Sequence, residues 1–187
     1  MARKSLKEVL TDSGIFFPDN NTGQITPTGL RTWIAELIGA ISPGYAYIVR
    51  PGPTVQAMTA VPAALVFDTA TVTNSGQADY TANAAAGEIV RVERGTTRLT
   101  FTADITPPTN SNSNLTFTLF KNGVATVWRV SVTLTAIAVK ESVSMSMIDY
   151  NSSAAIYTMH ASSNANGNYS FSEMELVAEV VPVWEYI

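Results

Sequence analysis

A β-hairpin in the middle of the chain constrains the fold more than any other feature of the sequence. Apolar and polar residues alternate from Leu115 to Phe120 and again from Val124 onward, and the two runs meet at Asn122-Gly123. Asn-Gly readily supplies the two positive φ angles of a type I′ turn, whose twist matches that of paired strands. The sequence therefore predicts two long antiparallel strands joined by a tight turn.

Strand-like segments continue on both sides of this hairpin, and turn-forming residues separate them. The predicted strands are Ala63 to Phe67, Glu88 to Val92, Arg98 to Ile105, Leu115 to Phe120, Val124 to Val139, Val143 to Met147, Ala154 to His160 and Tyr169 to Val181. Short strands with regular turns and no helical pattern predict a mainly β chain. We expect a two-sheet β-sandwich over residues 51–187, with the jelly roll as the leading topology.

A short helical arm and a linker are predicted before the sandwich, over residues 1–50. The proline and glycine content of residues 43–53 indicates the linker, with a short extended piece at residues 45–49 inside it. Thr26 can cap a helix, Pro27 suits its first position, and apolar residues from Leu30 to Ile41 recur at spacings of three and four. Isolated helices below about 12 to 15 residues are marginal in water. The apolar stripe is therefore expected to pack on a partner subunit or on the sandwich that follows.

Composition and charge exclude several classes of function. Only 14% of the residues are charged, and the net charge is −4, so the chain lacks the basic footprint of a nucleic-acid-binding protein. There is no cysteine, and therefore no disulfide. The most apolar window, residues 30–49, is interrupted by charges, Pro and Gly, so we predict no membrane span. The first residues lack a secretory signal, and we expect a soluble protein made in the cytoplasm.

The sequence shows no catalytic signature. His160 is the only histidine, so one subunit cannot assemble a histidine-rich zinc site or a Ser-His-Asp triad with a spare base. No phosphate-binding loop, dinucleotide fingerprint or nucleophile elbow occurs. We therefore expect no enzyme activity, no cofactor and no metal.

Two resemblances suggest a more specific identity. Residues 95–105 (GTTRLTFTADI), 119–124 (LFKNGV) and 169–176 (YSFSEMEL) together resemble jelly-roll modules of the C1q and tumour-necrosis-factor-like type, which are compact and usually trimeric. Residues 15–31 (IFFPDNNTGQITPTGLR) resemble the opening segment of structural proteins of tailed bacteriophages. These resemblances imply a homotrimeric virion protein.

The function that follows is a capsid decoration or cement protein, assembled in the host bacterial cytoplasm and carried on the outside of the virion. Its partners would be the major capsid protein and two further copies of itself. The residues expected to anchor it to the capsid are Phe16, Phe17, Leu30, Trp33, Ile34, Leu37 and Ile38. The nearly all-apolar C-terminal segment suggests a trimer interface at Val181, Val183, Trp184 and Tyr186, although a central strand with a frayed aromatic tail explains the same pattern.

Two other functions stay open at this point. A head or tail fibre module would use the same sandwich to attach to a host receptor or surface glycan, but the sequence contains no shaft-forming repeat. The candidate loop tips, 106–114 and 161–168, carry no aromatic ring on which a sugar could stack. A free-standing bacterial adhesive or sugar-binding protein of the C1q type would leave residues 1–40 without a role.

Overall fold

The computed structural model describes residues 30–34, 37, 44–73, 79–108, 112–135 and 139–181, most of which lie in β-strands. The strands in these ranges are β1 (Tyr45–Arg50), β2 (Thr54–Met58), β3 (Ala63–Ala64), β4 (Thr69–Thr73), β5 (Tyr80–Asn83), β6 (Glu88–Arg91), β7 (Gly95–Thr106), β8 (Ser113–Lys121), β9 (Val124–Leu134), β10 (Glu141–Asn151), β11 (Ala155–Ser163) and β12 (Gly167–Val180). Residues 30–34 and 37 have helical backbone. The rest of the predicted arm lies outside the described residues.

The strands form two antiparallel sheets. Sheet A has the order β10-β7-β12-β1-β4, and β2 pairs with β12. Sheet B has the order β5-β6-β11-β8-β9, and β3 pairs with β11. Among the described strands, only β5-β6 and β8-β9 pair neighbours in sequence. Long-range pairing therefore dominates both sheets, and sheet A is complete only when the last described strand, β12, takes its central place.

The two sheets pack face to face through aromatic side chains. Phe101 and Phe171 extend from sheet A, and Phe117 extends from sheet B; all three are fully buried. The ring centroids of Phe101 and Phe117 are 5.2 Å apart, and those of Phe117 and Phe171 are 6.3 Å apart with the planes at 81°. Tilted and edge-to-face pairs are the arrangements that aromatic quadrupoles favour. This contact fixes which side of each strand faces the core.

The structure confirms the predicted hairpin. Asn122 and Gly123 have φ angles of 52° and 77°, and they connect β8 to β9. The Asn122 side chain also accepts a hydrogen bond from the amide of Ile156 on β11, at 2.8 Å. The turn is therefore fixed by its own backbone geometry and by a contact with the neighbouring strand.

The sandwich begins earlier in the sequence than predicted. Residues 45–49, predicted as an extended piece of a linker, form β1, which pairs with both β12 and β4. Ala46 and Ile48 on this strand are fully buried. Proline and glycine on both sides of β1 suggested a linker, but they end a strand that fills the interior of sheet A. The boundary at residue 51 therefore cuts through the sheet.

Strand β12 accounts for most of the apolar C-terminal pattern. Its inward residues, from Tyr169 to Val180, are buried in the core, and its backbone pairs with β7 on one side and β1 on the other. Up to Val180 the pattern is therefore that of a central strand. The following tail, residues 182–187, lies outside the described residues.

Replacing Gly123 with alanine tests the turn. A side chain at a positive φ costs roughly 1–2 kcal/mol, so we expect the free energy of unfolding to fall by about that amount. The matched control is Gly52→Ala, because a Cβ at Gly52 would meet no atom within 4 Å. Urea unfolding followed by circular dichroism gives both values. Equal losses in the two variants would contradict the assignment of strain to the turn.

Candidate functional site

The outer face of sheet A carries a cluster of apolar side chains that the core does not use. We call it the sheet A patch and define it as Tyr45, Tyr47, Ile148, Tyr150, Val177 and Val181. Three of these side chains are well exposed: Tyr150 by 66%, Ile148 by 55% and Tyr45 by 38%. Exposed apolar side chains are ordinary when scattered singly, whereas several large ones gathered at one end of a sheet face indicate an interaction surface.

Strand pairing brings the patch together. Tyr47 lies opposite Val177, and Tyr45 lies opposite Glu179, so β1 and β12 place these side chains on one face. The rings of Tyr45 and Tyr47 stack with centroids 6.1 Å apart and an angle of 15° between their planes. Tyr150 lies opposite Thr96 on β7. The main chain of Val181 donates to the Thr96 carbonyl at 3.0 Å, which places Val181 at the same end of the face.

One ion pair lies within the patch, because Arg98 is opposite Ile148 on β10 and Glu179 is opposite Tyr45 on β1. Arg98 and Glu179 form an ion pair at 3.9 Å with each side chain about half exposed, which contributes little to stability. At the far end, the Asp104 carboxylate contacts the Lys140 ammonium at 2.5 Å and accepts a hydrogen bond from Ser142. The bond from Lys140 lowers the pKa of Asp104. The sheet A patch is therefore apolar on both sides of one exposed ion pair, and a second charged group lies at the far end of the face.

A second apolar surface lies where the last strands of the two sheets meet. We call it the β9–β10 seam and define it as Trp128, Val130, Val132 and Met145, which pack against the core and are only partly buried. β9 and β10 are end strands of sheets B and A, and they lie against each other. Natural edge strands are usually protected by charges. The β9 strand has one charged residue, Arg129, so charge protects this edge poorly.

A buried polar network lies at the end of the sandwich nearest the patch. Its centre is Arg91, which is 3% exposed. The guanidinium donates to the Tyr80 hydroxyl at 3.1 Å and to the carbonyls of Glu93 and Arg94 at 3.1 and 3.4 Å. It also lies 5.1 Å from the centre of the Tyr80 ring. Arg91 therefore holds the loop between β6 and β7 against the core, and burial raises the pKa of Tyr80.

The second half of this network connects the two sheets. We call it the inter-sheet cluster and define it as Lys121 and Tyr157 from sheet B with Asp149 and Asn151 from sheet A. One oxygen of Asp149 lies 2.7 Å from the Lys121 ammonium and accepts a hydrogen bond from the Tyr157 hydroxyl, also at 2.7 Å. The Asn151 amide donates to the same hydroxyl. Burial is the largest cause of the raised pKa of Tyr157.

The chain enters and leaves the sandwich beside this network. The carbonyl of Gly44, just before β1, accepts a hydrogen bond from the amide of Val180 at 2.9 Å. A Cβ at Gly44 would lie 2.3 Å from a carboxylate oxygen of Asp79, so only glycine fits there. The entry of β1, the end of β12 and the sheet A patch therefore share one end of the molecule.

The outer face of sheet B is different in character, because it is dominated by hydroxyl groups. The Thr116 hydroxyl lies 2.8 Å from that of Ser131, and the Thr133 hydroxyl donates to the Asn114 side chain at 2.7 Å. This face also carries an aromatic pair, Phe120 stacked on His160, with ring centroids 3.8 Å apart. Burial lowers the pKa of His160. Several hydroxyl groups on this face therefore bond one another, whereas Nδ1 of His160 has no hydrogen-bond partner.

Only part of the predicted site can be located. Of the predicted anchoring residues, Leu30 and Ile34 are each 41% exposed, while Trp33 and Leu37 are partly buried. Phe16, Phe17 and Ile38 lie outside the described residues. Of the predicted trimer-interface residues, Val181 lies at the edge of the sheet A patch, and Val183, Trp184 and Tyr186 lie outside the described part of the chain.

Sequence reasoning missed most of the patch and all of the buried network. Tyr45 and Tyr47 were assigned to a linker, although their alternation with buried residues is itself a strand signal. On β10, serines occupy the outward positions until Ile148 and Tyr150 replace them. Arg91 follows Ile89 on the same side of β6. A charged residue at an inward strand position was the available signal for a buried polar group.

The part of the chain that the structure describes contains no group of three His, Cys, Asp or Glu side chains arranged to hold a metal ion. No helix in it combines the length and apolar character that crossing a membrane requires.

Comparison with known proteins gives a fold but no family. No family model matches the chain, and no curated protein matches it. Among solved structures, Eiger TNF from S. frugiperda aligns with a TM-score of 0.55 at 10% identity, covering 78% of this chain and 97% of that one. Crystal structures of murine APRIL at pH 5.0 and pH 8.0 each align with a TM-score of 0.50 at 9% identity, covering 75% of this chain and all of the other.

These alignments establish the architecture. At identities this low the likeness concerns the fold alone, and it supports the expected TNF-like jelly roll. The match spans nearly the whole of each compared chain, so the complete sandwich is similar. The chain is therefore a mainly β protein with two antiparallel sheets in a TNF-like arrangement.

Replacing Arg91 with methionine tests the buried network. Methionine keeps the apolar stem but leaves two loop carbonyls and the Tyr80 hydroxyl without their donor, so we expect the free energy of unfolding to fall by about 2 kcal/mol or more. The control is Arg94→Met, because the Arg94 side chain is exposed and only its carbonyl joins the network. Urea unfolding measures both. An equally small effect of the two substitutions would show that the network adds little stability.

Proposed function

We propose that the chain is a structural subunit of a bacteriophage virion: a homotrimeric decoration or cement protein whose N-terminal arm attaches it to the outside of the major capsid protein shell. The observation that carries this proposal is the pair of apolar surfaces on the sandwich, the sheet A patch and the β9–β10 seam. The phage assignment itself is supported by the resemblance of residues 15–31 to the opening segment of phage structural proteins.

Two different apolar surfaces on one subunit favour assembly into a ring of subunits. When the first surface of each copy binds the second surface of the next copy, the interface is heterologous. The ring of subunits closes if the rotation from one copy to the next divides evenly into a full turn. In the proposed trimer the seam of one copy packs on the patch of the next. The resemblance to C1q-like and TNF-like modules implies that three copies close this ring.

Burial of apolar surface is the driving force of this assembly. Each square ångström of apolar surface removed from water contributes about 25 cal/mol. The patch supplies large exposed side chains, Ile148 and Tyr150 above all, and the seam supplies an indole, Trp128, that the core covers only in part. Aromatic side chains are enriched at the energetic centres of interfaces. The two surfaces therefore complement each other in composition.

The position of the arm supports attachment through the same end of each subunit. The arm joins the sandwich at Gly44, beside the end of β12. Leu30 and Ile34, on the helical residues of the arm, leave large fractions of their side chains exposed. In a trimer, three arms would bind neighbouring capsid subunits at once. Such multivalent attachment strengthens binding without any new type of contact.

Stabilisation of the shell would then follow from mass action. A ligand that binds only the assembled lattice shifts the equilibrium toward that lattice, in proportion to its concentration over its dissociation constant. No bond making or breaking is required for this role, only binding.

Introducing positive charge into the patch tests self-association. The double variant Ile148→Lys, Tyr150→Lys places two ammonium groups in the proposed contact, and we expect the dissociation constant of the trimer to rise by at least about tenfold, which corresponds to 1.4 kcal/mol. Val61→Lys is the control, because Val61 is 71% exposed in the loop between β2 and β3. Sedimentation velocity over a concentration series measures both. A double variant that dissociates no more readily than Val61→Lys would remove the patch from the interface.

Deleting residues 1–40 tests the capsid role. The shortened chain should remain folded and trimeric but should no longer co-sediment with capsids that lack the decoration protein, whereas the full chain should do so. Counting the copies bound per capsid in electron micrographs adds a second readout. Hundreds of copies agree with a cement protein, a handful at a tail or vertex indicates a fibre module instead, and undiminished binding of the shortened chain contradicts the role of the arm.

A further inference from the structure

A lysine, a carboxylate and a carboxamide meet in the inter-sheet cluster. Lys121 is the last residue of β8 in sheet B, and Asp149 and Asn151 lie on β10 in sheet A. One carboxylate oxygen of Asp149 lies 2.7 Å from the Lys121 ammonium, and the same oxygen accepts a hydrogen bond from the Tyr157 hydroxyl. The Tyr157 hydroxyl in turn accepts a hydrogen bond from the side-chain amide of Asn151. An amine and a carboxamide from opposite sheets therefore flank one carboxylate–phenol pair.

The carboxamide in this cluster is only half satisfied. Asn151 is 2% exposed, and its carbonyl oxygen has no hydrogen-bond partner in the structure. Buried polar groups are nearly always hydrogen-bonded, and each exception calls for an explanation. A purely structural network would gain more from a side chain whose polar atoms are all paired. The arrangement holds the nitrogen of Asn151 and leaves its carbonyl group unengaged.

We propose that Lys121 and Asn151 form an isopeptide bond within the folded chain, with Asp149 carrying the proton between them. Asp149 accepts a proton from the Lys121 ammonium, and the neutral Nζ attacks Cγ of Asn151. The Nζ–Cγ bond forms as the Cγ–Nδ2 bond breaks. Asp149 passes this proton and the second proton that Nζ loses to Nδ2, which leaves as ammonium, and the carboxylate is restored. The reaction needs no oxidant, reductant or cofactor.

Each member of the cluster has a defined part in this step. Asp149 acts as general base and then as general acid, within hydrogen-bond distance of the amine. Tyr157 is a positioning residue, because its hydroxyl contacts both the carboxylate and the amide nitrogen. The raised pKa of Tyr157 keeps that hydroxyl protonated. Folding holds the amine and the carboxamide on the same carboxylate–phenol pair, so their reaction would be effectively unimolecular.

The surroundings of the cluster suit both the reaction and the release of its product. Asp149 is 9% exposed, so little water competes for its carboxylate. The Lys121 side chain is 28% exposed and reaches the cluster from the rim, which leaves a route to solvent for ammonia. The chain has no cysteine, so a disulfide cannot join the sheets. An isopeptide bond would supply the covalent link that a disulfide supplies elsewhere.

The mass of the intact, folded full-length protein tests this proposal. We expect the purified chain to be lighter than its sequence mass by one molecule of ammonia after correction for N-terminal processing. Protease digestion should yield one branched peptide that joins the segment containing Lys121 to the segment containing Asn151. Fragmentation of that peptide should place the link on these two side chains.

Two variants distinguish formation of the isopeptide bond from other reactions that release ammonia. Lys121→Arg keeps the positive charge beside Asp149 but cannot form the bond, and Asp149→Asn removes the proton carrier; both should have their full sequence masses. Loss of ammonia in Lys121→Arg would indicate cyclisation at Asn151 alone and would overturn the proposal. A wild-type protein of full sequence mass would overturn it too, as would loss of water with a link between Lys121 and Asp149. These results leave the trimer and capsid proposals unaffected, because they concern one chain by itself.

Discussion

Face-to-face burial of two antiparallel sheets is the constraint from which the other features of this protein follow. The contact of Phe101 and Phe171 with Phe117 fixes the inward side of the central strands, and the period of two then decides the outward positions. The exception is β12, where a bulge between Ser172 and Glu175 shifts that period by one residue. Serine and threonine fill most of those outward positions, which keeps the faces polar with few charges. Where Tyr45, Ile148 and Tyr150 interrupt that pattern, the sheet face becomes a surface suited to another subunit.

The polar network shows how the end of the sandwich is closed. Hydrophobic burial stops where the strands end, and at this end buried charges replace apolar side chains. Arg91 satisfies loop carbonyls that would otherwise be buried without donors, and Asp149 joins the two sheets through Lys121 and Tyr157. Gly44, just before β1, lies against Asp79 with no room for a side chain. Order at this end therefore sets where the arm meets the sandwich.

The sequence predicted the elements whose signals are local. The Asn122-Gly123 turn and the long alternating strands around it were found because turn chemistry and the period of two are read within a few residues. β1 was missed because flanking proline and glycine suggested a linker, while its strand character depends on β12, far away in the sequence. The buried network was missed for a similar reason. Arg91 and Asp149 are charged, and only the pairing of distant strands turns them inward.

The candidate site illustrates the same limit. Val181 was predicted from an apolar run, and the structure places it across β7 from Tyr150, which no local pattern distinguished from the serines before it. An interaction surface is a property of several strands together, so its members become visible only when register is known. The helical stripe was a local signal, and Leu30 and Ile34 are indeed exposed where they are described. Neither the apolar run nor the helical stripe identifies the partner that would cover these side chains.

The account depends most on the claim that the subunit does not act alone. Sedimentation equilibrium of the full-length chain at micromolar concentration tests this claim directly, because it measures the mass of the assembly without assuming its shape. The account predicts one species of about three times the 20.0 kDa subunit mass. A species with the mass of one subunit across the concentration range would contradict it, since the sheet A patch and the β9–β10 seam would then remain open to solvent.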